Sequence, residues 1–212
     1  GDTINLGAGN DKLVKSAAIG TVAASTTTVI DGGAGIDSLD AALVNVGNAK
    51  VFENFETLSL TTAIATATAL DLDLLTKSTI TSIAKDSNAV HALLNVKKSQ
   101  SLTVNAAATA TTLTFKASEI AGTTDAYTIN FAKDAKDAAG IVDANIVTIT
   151  GIETVNINST GATATTGNKI TLQDAEAKSL VITGDKNIDL VLGTTGAPAT
   201  LFGTDGTGGN GK

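Results

Sequence analysis

The chain has 212 residues, enough to bury a core of its own, but aromatics make up only 3% of it and Trp, Met and Cys are absent, so burial must rest on Ile, Leu, Val and Ala. Its 14 basic residues are all Lys against 21 acidic ones, giving a net charge of −7, which favours cations and disfavours nucleic acid and anionic lipid as partners. The lack of Cys excludes disulfides and thiolate metal sites, and no apolar run approaches the roughly 18 residues of a membrane-spanning helix, so no membrane insertion is expected.

The first stretch, GDTINLGAGNDKLVK (1–15), echoes itself at nine residues: Asp2 and Asp11 stand nine apart, as do Ile4 and Leu13. After a Thr- and Ala-rich body, KSAAIGTVAASTTTV (15–29), comes DGGAGIDSLD (31–40). Both glycine-rich stretches follow the nonapeptide G-G-x-G-x-D-x-U-x, where U is aliphatic. The second matches fully at Gly32, Gly33, Gly35, Asp37 and Leu39. The first matches at Gly7, Gly9, Asp11 and Leu13, with Leu6 in place of the opening Gly, and GDTIN supplies Asp2 and Ile4 of half a further copy.

Glycines at this density let the backbone turn sharply and present carbonyl oxygens, while the Asp adds a carboxylate. Calcium, a hard cation that takes about six to eight oxygen ligands, suits such a set. The expected ligands are the carboxylates of Asp11 and Asp37 with main-chain oxygens around Gly7, Ala8, Gly9, Gly32, Gly33, Ala34 and Gly35. Asp2 would serve a site shared with a coil outside this chain. Asp11 and Asp37 are 26 apart, so the two loops are expected to be neighbours in a stack. The competing reading is a pair of ordinary tight turns capped by Asp.

Downstream, short runs alternate polar with aliphatic: ETLSLT (56–61), STITSI (78–83), SLTVNA (101–106), YTINFA (127–132), ETVNIN (153–158) and SLVITG (179–184). Aligning Leu58, Ile80, Leu102, Ile129, Val155 and Leu180 gives steps of 22, 22, 27, 26 and 25 residues, which Leu201 would continue. A second run, TLTFKA (112–117), KITLQD (169–174) or IDLVLG (188–193), falls between some of these anchors. This period predicts an all-β fold, a parallel β-solenoid in which stacked coils bury one another's aliphatic faces. A β-sandwich is the competing architecture.

Short helical turns are expected within 81–98, 115–122 and 172–179. Asp71 and Asp73 in LDLDLL read as one face of a strand, where they could hold a cation or serve acid–base chemistry, although plain solvated strand positions are the favoured reading. His91, the single histidine, has no Cys or second His to complete a transition-metal site and reads as a surface or half-buried residue. Asp185 and Asp189 read as a turn followed by a strand. No nucleophile, base and orienting group can be assembled, so an enzyme is not expected.

GDTINLGAGNDKL, VIDGGAGIDSLD, NVGNAKVFENFETLSL and TITGIETVNIN together resemble bacterial surface-layer proteins of the RTX type, as in Caulobacter and Campylobacter. The resemblance implies a secreted, cell-surface solenoid exported by type I secretion, held rigid by calcium and self-associating into a lattice. It also implies contact with cell-surface polysaccharide through another part of the parent protein. The positions that carry it are Gly7, Gly9 and Asp11, then Gly32, Gly33, Gly35 and Asp37. The alternative is a solenoid module of a large secreted RTX adhesin or exoprotein that binds a host or matrix ligand. The expected organisation is calcium-binding coils over 1–40, a continuous solenoid over 41–193, and a Gly-rich end over 194–212 that begins another loop. Both ends are thus expected to be interior points of a longer array.

Overall fold

The computed structural model describes residues 1–16, 27–64, 66–106, 108–132, 141–161 and 167–193. The chain winds as an all-β parallel solenoid in which strands pair with their counterparts one coil further on. In chain order the strands are β1 (Thr3–Asn5), β2 (Lys12–Leu13), β3 (Val29–Asp31), β4 (Ser38–Asp40), β5 (Phe52–Glu53), β6 (Thr57–Leu60), β7 (Leu70–Asp71), β8 (Ser82–Lys85) and β9 (His91–Val96). They continue with β10 (Ser101–Val104), β11 (Ala110–Phe115), β12 (Ala126–Phe131), β13 (Asp143–Ile149), β14 (Thr154–Ser159), β15 (Asn168–Gln173), β16 (Ser179–Gly184) and β17 (Ile188–Leu192). The even-numbered strands, β2 to β16, form one eight-stranded parallel sheet, about 34 Å along the stack at the usual strand spacing. The odd-numbered strands form two others: β1, β3 and β5 beside the N-terminal coils, then β7 to β17.

The register of the eight-stranded sheet shows which residues line its inner face. Leu13, Leu39, Leu58, Ile83, Leu102, Ile129, Ile157 and Ile182 stand opposite one another in turn, an aliphatic ladder pointing inward. Successive strand residues alternate faces, so Ser, Thr and Asn take the outer positions, as in Thr128, Asn130, Asn156 and Asn158. Aromatic rings fill corners: Phe52 meets Phe55 edge-on at 6.4 Å, and Phe115 meets Tyr127 at 4.8 Å.

The true coil lengths are 26, 19, 25, 19, 27, 28 and 25 residues, more uneven than the spacing predicts. Leu58 is opposite Ile83 rather than Ile80, and Ile129 is opposite Ile157 rather than Val155. Strand pairing, not residue count, sets equivalence. The expected helical turns within 81–98, 115–122 and 172–179 are absent: the first span holds β8 and β9, and the others are strand ends and turns. Short 3₁₀ turns occur instead at Ala41–Leu43, Ala49–Val51, Thr66–Thr68 and Leu72–Leu74. The Gly-rich end from 194, with Leu201, lies outside the described residues.

The corner leading into the eight-stranded sheet is built alike in several coils. Asp37 carbonyl oxygen accepts from the N–H groups of Glu56 and Thr57, and Glu56 carbonyl oxygen accepts from those of Thr81 and Ser82. Asp125 and Glu153 repeat the pattern toward Glu153–Thr154 and Lys178–Ser179. This corner ladder carries the glycine-rich turns.

Candidate metal centre

The turns at 6–11 and 32–37 stack directly on one another. Ala8 bridges Ala34, Lys12 pairs with Ser38, and the strands before the turns pair Asn5 with Asp31. Between the turns Ala34 N–H donates to Gly7 O at 2.9 Å, and Gly9 N–H donates to Ala34 O at 2.8 Å. The glycines are needed for this closeness. A Cβ on Gly33 would stand 1.9 Å from the Gly7 carbonyl oxygen, and one on Gly35 would stand 1.7 Å from that of Gly9.

The two Asp residues occupy the end of each turn. Asp37 is fully buried. Its Oδ1 accepts from Asp11 N–H at 2.7 Å, while its own N–H donates to Glu56 Oε2 at 2.9 Å. Each carboxylate therefore reaches toward the preceding coil and satisfies a corner amide there. Glu153 Oε2 does the same for Asp125 N–H at 2.8 Å, in a corner without a glycine turn. One oxygen of Asp37 thus has a purely structural task.

The second oxygens do not. Asp11 Oδ2 and Asp37 Oδ2 are both buried and make no hydrogen bond. Neither carboxylate has an ion-pair partner among the described residues. A buried carboxylate oxygen without a donor is costly unless a cation meets it. Among the described residues no three acidic, His or Cys side chains converge as a metal cluster. A cation here would be held by these two carboxylates and by main-chain oxygens of the turns. Such an all-oxygen donor set fits a hard ion such as calcium.

The structure also brings in residues that the glycine pattern does not name. Asn5 Oδ1 accepts from Gly7 N–H at 2.8 Å, and Asp31 Oδ1 accepts from Gly33 N–H at 2.9 Å, so the same side-chain turn opens both loops. Asn10 Oδ1 accepts from Ile36 N–H at 2.9 Å and ties the tips together. The 26-residue echo of Asn5 in Asp31 is the signal that could have found the first pair. Gly32 sits at the loop entrance, its N–H donating to Glu53 O at 2.9 Å.

Asp2 is not brought to the turns; it precedes β1, where its carbonyl accepts from Val29 N–H at 3.0 Å. Asp71 and Asp73 do not share a strand face, because a 3₁₀ turn starts between them. Asp71 Oδ1 caps that turn at Asp73 N–H and accepts from Asn95 Nδ2, while Asp73 pairs with Lys116 at 2.6 Å. His91 is fully buried rather than at the surface or half-buried. Asp185 and Asp189 lie as expected, in a turn and in β17. No helix among the described residues is long and apolar enough to cross a membrane.

No protein-family model matches the chain, and no curated protein matches it at a significant level.

Proposed function

We propose that this chain is a structural segment of a secreted bacterial surface-layer protein, stiffened by calcium between its first two coils and contacting copies of itself in a lattice. The observation that supports it best is the pair of buried carboxylate oxygens, Asp11 Oδ2 and Asp37 Oδ2, left without a donor in adjoining glycine turns. Bound calcium would give each of these two oxygens the partner that the described residues do not supply. The residues themselves hold the turns together through the Ala8–Ala34 bridge and the Asp37–Asp11 hydrogen bond, so they order the first coil against the second. The surface-layer part of the proposal rests on the resemblance together with the solenoid architecture, and the protein acts as a scaffold rather than an enzyme.

Because binding couples to folding of the turns, excess chelator should lower the melting temperature, and calcium should restore it. An unchanged melting curve would remove calcium from the proposal. In calorimetry Asp37→Asn should weaken calcium binding at least tenfold, whereas Asp73→Asn should leave it unaltered, since Asp73 is engaged by Lys116 away from the turns. The lattice is tested by electron microscopy of the chain with calcium. Ordered sheets support the coat, and persistent monomers that bind a glycan or receptor favour the adhesin.

A further inference from the structure

Position 85 breaks the inward face of the eight-stranded sheet. Lys85 lies opposite Leu60 on one side and Val104 on the other, in a row that continues to Phe131. The lysine is therefore directed into the core, and both it and His91 are 0% exposed. Lys85 Nζ donates to Ala89 O and meets His91 Nδ1 at 2.6 Å, while His91 Nε2 meets Thr62 O at 2.8 Å. Since the Thr62 atom at this contact is the main-chain carbonyl oxygen, which only accepts, His91 Nε2 carries the hydrogen and Nδ1 accepts from Lys85. This arrangement is complete only with a neutral imidazole.

We infer that Lys85 and His91 form an acid-operated latch on the corner between β8 and β9, closed while the imidazole is neutral and forced open when it takes a proton. A proton on Nδ1 would place an N–H against the Lys85 amine and set two cations side by side in the core. No described carboxylate compensates them. From β8, the next residue Asp86 is held by Ser59 of β6, by Asn105 Nδ2 after β10, and by Lys12 of β2. From β4, Asp40 accepts from the Ala42 and Lys15 N–H groups and from Thr61. The partners facing His91 from the neighbouring coils, Ile64 and Thr111, are uncharged.

Burial, then the Lys85 charge, holds the imidazole down to about 4 from its ordinary 6.5, and burial brings Lys85 down to about 8. The open chain takes up the His91 proton more readily than the closed one. The latch is therefore fully closed above about pH 6.5 and loses its stabilisation as pH falls toward 4.

His91 is the single histidine, so its ring C–H resonances report it alone. Proton NMR of the full chain from pH 8 to 4, run both in saturating calcium and in chelator, separates the latch from acid release of calcium. The expected result in both is no titration of the native His91 signal near pH 6.5, followed by loss of that signal on further acidification. Lys85→Met should raise the His91 pKa by a unit or more. His91→Gln, which can keep both hydrogen bonds without titrating, should flatten the fall in melting temperature between pH 6.5 and 4. A native His91 signal that titrates near 6.5, or a Gln variant with the parent's acid profile, overturns the latch. If Lys85→Met does not fold, the parent titration and the Gln variant still decide.

Discussion

Gly33 and Gly7 hold equivalent places in consecutive turns, with φ of 95° and 97°, yet their surroundings differ. Nothing lies within 4 Å of a Cβ added at Gly7, whereas one at Gly33 would collide with the Gly7 carbonyl. Gly7→Ala should therefore cost only the backbone term, about 1–2 kcal/mol. Gly33→Ala adds a collision with rigid main chain and should cost about 3 kcal/mol or more. Denaturation midpoints of the two variants check the contrast, and equal costs would show that the turns do not pack as described. At this scale the sequence was informative about Gly7, Gly9, Gly33 and Gly35, because each holds a positive φ in the turns. It was silent on the carboxylate of Glu56, which joins the turns only because a third, shorter corner stacks beneath Asp37.

The inward ladder of the eight-stranded sheet makes a strand's contribution depend on its place in the stack. Ile157 on β14 and Ile182 on β16 are opposite one another, but Ile157 is 0% exposed and Ile182 is 47% exposed. Ile157→Ala should cost about 2–5 kcal/mol and Ile182→Ala less than about 1 kcal/mol. Urea melts of both variants measure the difference, and comparable losses would argue against this register. Strand-forming segments such as SLTVNA and ETVNIN were legible because alternation survives in them intact. STITSI misled because Ile80 and Ile83 are both buried, and only the pairing of Leu58 with Ile83 chooses between them. The span 81–98 suggested helix because Lys85 and His91 break the alternation that would mark two strands. Their mutual contact replaces apolar packing, and no local rule announces such a pair.

Across the whole molecule two buried titrating groups act in opposite senses. Asp174 is buried with one oxygen unpartnered; burial chiefly, then Glu176 and Glu153 nearby, pushes its carboxyl up to about 7. The folded chain therefore keeps a proton that the unfolded chain releases above about 3.8. Its contribution to stability is complete below that value and is lost as pH rises through 7, opposite to the His91 contribution. Asp174→Asn should mimic the protonated form, so the melting temperature should match the parent near pH 4 and exceed it at pH 8. A variant that melts with the parent at pH 8 would show that Asp174 ionises without cost. The solenoid class was legible from the period of the chain, whereas the division of the odd-numbered strands into two sheets was not, because it follows from how each coil closes.

The corner ladder has a consequence for tolerance to change. Between Asp31 and Ser38 the chain spends six residues on a glycine turn, while between the paired Glu53 and Thr57 it spends three. Both corners deliver the next strand in register. Added length at such a corner carries only a slow, logarithmic entropy cost, whereas one extra residue inside a strand would turn its aliphatic face outward. Corners are therefore the sockets at which this rod can exchange one loop for another, and the glycine turns are an interchangeable fitting on a spine that remains the same.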